Sequence, residues 1–139
     1  MTERALPWHP VPDITDGFYS ISAICQSRAL DSQSKRLATL TLYSRPTSHD
    51  RRDLHLSFES VVAIYLEDDC PGTFVLPRDC PRVNAEFVFP LLVIEGSKWL
   101  ANWPMWPNHV HYALLSLDDL VHVVASPGAT GRWSDESAA

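Results

Sequence analysis

Apolar and polar residues alternate with a period of two over much of this chain, the pattern of strands that bury one side. Between Phe18 and Cys25, Tyr19, Ile21, Ala23 and Cys25 fall on one side and Ser20 and Ser22 on the other. Leu37 to Tyr43 repeats this, with Ala38, Leu40 and Leu42 against Thr39 and Thr41. The link Asp31-Ser32-Gln33-Ser34-Lys35 is short and polar, so these runs are expected to form an antiparallel hairpin. Leu54, Leu56 and Phe58 continue the alternation. Phe58 to Leu66 also fits a helical stripe with Ser57 as N-cap. The run Val61-Val62-Ala63-Ile64-Tyr65 favours a strand, with a bulge near Glu59-Ser60.

Further along, Phe87 to Glu95 is apolar enough for a buried strand, although Pro90 cannot donate a ladder hydrogen bond. Ser97 is placed to cap a short helix over Lys98 to Trp103, which Pro104 stops. His111 to Ala125 has the pattern of a hairpin with Asp118-Asp119 as a two-residue turn, pairing Leu117 with Leu120 and Leu115 with His122. The expected fold is α+β and β-rich: a mostly antiparallel curved sheet of about six or seven strands, with one or two short helices against one face. Residues 1–16 hold three prolines and residues 126–139 are rich in Gly, Ser, Ala and acid. Both are expected to be tails, extended at the front and loose at the end, around a single globular domain at 17–125.

The 139 residues carry a formal charge of −6, and its placement matters more than its size. Residues 1–66 hold seven basic and seven acidic side chains, while residues 67–139 hold four basic and ten acidic ones. An acidic half repels phosphate backbones and attracts basic proteins, which disfavours nucleic acid as a partner. No apolar run approaches the roughly 20 residues of a membrane-spanning helix, and the first residues lack the basic start and apolar stretch of a signal peptide. A cytoplasmic location is the resulting expectation. Three cysteines, Cys25, Cys70 and Cys80, do not suggest a disulfide framework.

Candidate chemistry is sparse. His109-Val110-His111 with His122 has metal-ligand residue types. With an Asp118-Asp119 turn, however, His111 and His122 share a face four ladder steps apart, about 13 Å at roughly 3.3 Å per residue. Zinc needs its ligands about 2 Å from one ion, so no metal is expected. No nucleophile elbow, phosphate loop, dinucleotide fingerprint or zinc-protease motif occurs, and no catalytic residue or cofactor is assigned. Glu67-Asp68-Asp69 reads as a solvated acidic loop or a docking surface. Trp99, Trp103 and Trp106 cluster with Pro104 and Pro107. Trp99 and Trp103 share a helix face, which either covers the open side of the sheet or, because the stretch from Trp103 to Trp106 is too broken by proline to turn every ring inward, leaves rings exposed. Exposed Trp beside acids suits a protein-binding patch. The expected partner surface draws on Glu67, Asp68, Asp69, Trp103, Trp106, Asp118 and Asp119.

Three segments in order, Phe58 to Asp68, Ser97-Lys98-Trp99-Leu100 and His111 to Ala125, resemble small bacterial immunity proteins, the partners that neutralise toxins delivered between cells. The shared features are a strand ending in acid, a Ser-x-Trp-Leu helix start and a closing His-Tyr hairpin, over about half the chain. The resemblance implies a binding function without catalytic residues, exerted by occluding a cognate toxin or effector protein, and the acidic second half of the chain makes a basic one the expected partner. A chaperone or adaptor for a secreted effector, or an enzyme with an unfamiliar site, are the alternatives.

Overall fold

The computed structural model describes residues 3–12, 19–30, 36–46, 52–68, 81, 89, 91–102, 104–105, 107–115 and 119–134. They form two antiparallel sheets. The first has five strands in the order β1-β6-β7-β8-β5, built from β1 (Arg4–Pro7), β5 (Ala63–Asp68), β6 (Leu91–Glu95), β7 (Val110–Leu115) and β8 (Asp119–Ala125). The second runs β2-β3-β4-β9, from β2 (Tyr19–Leu30), β3 (Arg36–Pro46), β4 (Leu54–Phe58) and β9 (Thr130–Trp133).

The first hairpin is as expected: β2 and β3 pair antiparallel from Tyr19↔Pro46 to Leu30↔Arg36, with a register shift between Ile21 and Ala23. In β4 the alternation is complete, with Leu54, Leu56 and Phe58 buried and His55 and Ser57 half-buried. Phe58 then meets Tyr112 of the other sheet at a ring separation of 5.2 Å, and Trp8 lies 5.6 Å from Phe58 and 4.8 Å from Tyr112. Those three rings join the sheets. Phe58 and Tyr112 are buried and Trp8 is partly buried against them, and a fully buried aromatic side chain contributes roughly 1.5–3 kcal/mol, so these rings help hold the layers together.

Four expectations are corrected. Fold class is mostly β rather than α+β: among the described residues the helical part of 98–103 shrinks to one 3-10 turn, Leu100–Asn102. Ser97 still caps it, accepting a hydrogen bond from Leu100 N–H at 3.0 Å. A second sheet, rather than a helix, covers the core face. The run through Phe58 to Leu66 is not one bulged strand. Ser60, with φ of 50°, turns the chain out of β4 and into β5, in the other sheet.

The third correction concerns the ends. Residues 4–7 pair with β6 from Arg4↔Glu95 to Pro7↔Leu92, and residues 130–133 pair with β4. Ala5 and Val11 are buried in the core. Four-residue strands are too short to show a period, and a proline fits an edge strand, so neither registers as a strand in sequence. The two ends also touch: a Cβ on Gly131 would lie 2.8 Å from Pro10 Cβ, so only glycine lets Pro10 pack there.

The fourth is the register of the β7–β8 hairpin. Leu115 rather than Leu117 pairs with Leu120, Ala113 pairs with His122, and His111 with Val124. Asp119 lies in β8 instead of in a two-residue turn. Residues 111–114 and 121–125 are buried without alternation, so both faces of the sheet centre are covered.

Candidate functional site

Two features carry chemistry, an edge and a buried chain of polar groups, and both are built around β5 and β8. Among the described residues β5 closes one edge of its sheet, paired with β8 from Ala63↔Val124 to Asp68↔Asp119. The residues of β8 opposite Ile64, Tyr65 and Leu66 are Val123, His122 and Val121, all at most 1 % exposed. Ile64 and Tyr65 are each 36 % exposed and Leu66 is 54 % exposed. Burial therefore falls away within one strand. Consecutive residues of a strand point to opposite faces, so neither face of β5 is fully covered.

Of the seven expected partner-surface residues, Glu67 and Asp68 end β5 and Asp119 begins β8. Backbone register sets Asp68 opposite Asp119 and Glu67 opposite Leu120, so three of the acids are brought together at one end of the sheet edge. Asp69, Trp103, Trp106 and Asp118 lie outside the described residues, as do Cys70 and Cys80. Met105, between the two tryptophans, is 72 % exposed.

The buried chain was missed in sequence because it depends on register. His111 and His122 are two ladder steps apart rather than four. Shifting the hairpin by two residues keeps both rings on the same face and halves their separation. His111 Nε2 and His122 Nδ1 are 2.7 Å apart, and His111 Nδ1 is 2.6 Å from Ser97 Oγ. All three residues are buried. Trp99 presents its ring edge-on to both imidazoles, at 5.1 Å from His111 and 5.7 Å from His122. Tyr65 of β5 stands 6.3 Å from His122 and 6.5 Å from Trp99. The signal available in sequence was the Ser97-x-Trp99 pair together with two histidines that the hairpin pattern sets on one face.

Protons in this chain have two consistent arrangements. The Ser97 hydroxyl donates to His111 Nδ1 and His111 Nε2–H donates to His122 Nδ1, or His122 Nδ1–H donates to His111 Nε2 and His111 Nδ1–H donates to Ser97 Oγ. Both imidazoles are neutral in either case. Burial, and then the neighbouring His122, push the His111 pKa down to about 3. The order serine, histidine, histidine matches nucleophile, base and orienting group, but a base held so low is mostly ineffective at neutral pH. Among the described residues, no third His, Cys, Asp or Glu joins the pair in a group able to hold a metal ion.

His109 makes a separate contact, its Nε2 lying 3.0 Å from Ser60 O at the turn that leads into β5. Burial and Arg132 lower the His55 pKa, with Asp53 opposing. Among the described residues no helix is long and apolar enough to cross a membrane. No protein-family model, no curated protein and no solved structure matches the chain.

Proposed function

We propose that this chain is a binding protein of the immunity type, which neutralises a basic toxin domain by covering it. The observation that carries the reading is the β5 edge, where exposed Ile64, Tyr65 and Leu66 run directly into Glu67 and Asp68, with Asp119 opposite. Apolar area supplies affinity and the acids steer a basic partner towards it. The confinement of the −6 charge to residues 67–139, and the resemblance of three segments to immunity proteins, support the same reading. A cytoplasmic site of action belongs to this proposal.

The test is capture of the partner. Tagged protein is used as bait at low salt, bound proteins are eluted with salt and identified by mass spectrometry, and the eluted partner is assayed with and without the bait. A basic protein whose toxic activity the bait suppresses is the expected result. An acidic partner, or a partner left fully active, rejects the reading.

One observation favours a second reading, hydrolysis through Ser97. Its hydroxyl is 2.6 Å from His111, which is 2.7 Å from His122. Labelling by a fluorophosphonate that disappears in Ser97→Ala would support an enzyme. An unlabelled wild-type protein would remove that reading.

A further inference from the structure

We infer that the partner is engaged by strand addition: an extended segment of a basic protein lies along β5 and adds a sixth strand to the five-stranded sheet. The inference rests on the binding reading above and specifies the form of what is bound. It starts from a contrast between the two edges of one sheet. The β1 edge is guarded: it is four residues long, ends in Pro7, which has no N–H to offer, and begins with Arg4, 3.6 Å from Glu95. Short length, proline and charge are the usual means of blunting an edge against further pairing. Over Ala63-Ile64-Tyr65-Leu66, β5 has no proline and no charge, and the strand runs for six residues, about 20 Å at roughly 3.3 Å per residue. An apolar stretch at an edge that no described strand covers is either a hazard or a template.

This template is preformed. Val62 N–H donates to Val124 O at 2.9 Å. Glu59 O accepts from both the backbone N–H and the hydroxyl of Ser126, each at 3.0 Å. From the buried side, Tyr65 rests against His122 and Trp99. A fixed edge loses little freedom when a strand is added to it.

Charge selects the occupant. The last two positions of β5 are Glu67 and Asp68, and the facing strand contributes Asp119. A segment with apolar residues beside 63–66 and Lys or Arg beside 67–68 matches this order. A second copy of the chain is a poorer match, because it brings two surfaces of net charge −6 together.

The captured partner, and short overlapping peptides tiled across it, serve as probes. Hydrogen exchange is followed in the free protein and in the complex. Strand addition slows exchange of the 63–68 amides by at least about tenfold and leaves the β1 amides unchanged. One of the basic peptides reproduces that protection. The double substitution Ile64→Lys with Leu66→Lys weakens binding by at least about tenfold, with the near-ultraviolet circular dichroism of the buried aromatic groups retained. If that variant does not fold, Leu66→Lys alone is expected to give the same direction. A partner that binds with no added protection at 63–68, and with affinity for the Lys variants unchanged, overturns strand addition and leaves the binding reading intact. Failure to capture any basic protein overturns both. Sedimentation of the protein alone is expected to show a monomer, and a dimer abolished by the Lys substitutions would assign the edge to a second copy instead.

Discussion

Single residues in this fold are constrained by neighbours distant in sequence. Gly131 of β9 has Pro10 Cβ at 2.8 Å and Leu56 Cδ2 at 3.1 Å from where a Cβ would stand. Gly131→Ala is therefore expected to destabilise the protein by about 1–3 kcal/mol through overpacking, measured as a fall in the urea midpoint with the m-value unchanged. Ser97 serves two groups at once, accepting from Leu100 N–H and bonding the His111 ring. Ser97→Ala leaves a buried imidazole nitrogen without that bond and removes the cap, and is expected to cost about 1–3 kcal/mol by the same measurement. Asp68 and Asp119 have the opposite sign. Like charges at facing positions weaken a sheet, so Asp119→Asn is expected to stabilise the free protein by roughly 0.2–1 kcal/mol. An Asp119→Asn protein that melts below the wild type would show that the facing acids are not in conflict.

At the scale of elements, what could be seen in sequence depended on whether the signal was parity or position. Parity was legible. Leu54, Leu56 and Phe58 alternate and are buried, β2 and β3 pair as a hairpin, and His111 and His122 share a face. Position was not. An apolar run such as Tyr112 to Leu117 gives no preference between registers two residues apart, because every alternative keeps the same side chains inward. That two-residue shift separates rings about 13 Å apart, by the roughly 3.3 Å rise of a strand, from rings in hydrogen-bond contact. The acids of the candidate site were legible as a cluster of charge. The pairing of Asp68 with Asp119 needed the strand order. The histidine pair also sets a pH dependence. His111 has a folded-state pKa of about 3 against an ordinary value of 6.5. Above pH 6.5 the folded and unfolded forms are both neutral there, and this group contributes no slope. Below pH 6.5 the unfolded chain takes up a proton that the fold refuses, so stability is lost as pH falls from about 6.5 towards 3, by at most about 1.4 kcal/mol per unit. Urea unfolding across this range should show that slope, reduced by close to one proton in His111→Gln. Equal slopes in both proteins would mean that His111 is protonated in the fold.

At the scale of the whole molecule, the two ends finish opposite jobs. β1 closes one edge of the five-stranded sheet with a short strand ending in proline, and β9 extends the other sheet through Asp53 N–H to Ser134 Oγ at 2.9 Å and Ser134 N–H to Asp53 O at 2.8 Å. Trp133 of β9 lies under the Arg52 guanidinium, 4.4 Å from the ring centre. Among the described residues β5 forms the other edge of the five-stranded sheet, apolar over residues 63–66 and acidic at Glu67 and Asp68, in the part of the chain where the negative charge begins. This gives the binding reaction two separable parts. Long-range attraction by the acids acts before contact and is screened over about 8–10 Å at physiological salt, whereas apolar burial acts after contact and is insensitive to salt. Reversing Glu67 and Asp68 to Lys is therefore expected to lower the association rate with a basic partner by about tenfold or more at low salt, an effect that shrinks as salt is added. Leu66→Ala, and Trp103→Ala or Trp106→Ala if those rings reach the partner, should leave association nearly unchanged and speed dissociation, by about 2 kcal/mol for a central anchor. Surface plasmon resonance at several salt concentrations separates the two rates. Charge reversal that changes only dissociation would mean that Glu67 and Asp68 are buried contacts and do not steer the encounter.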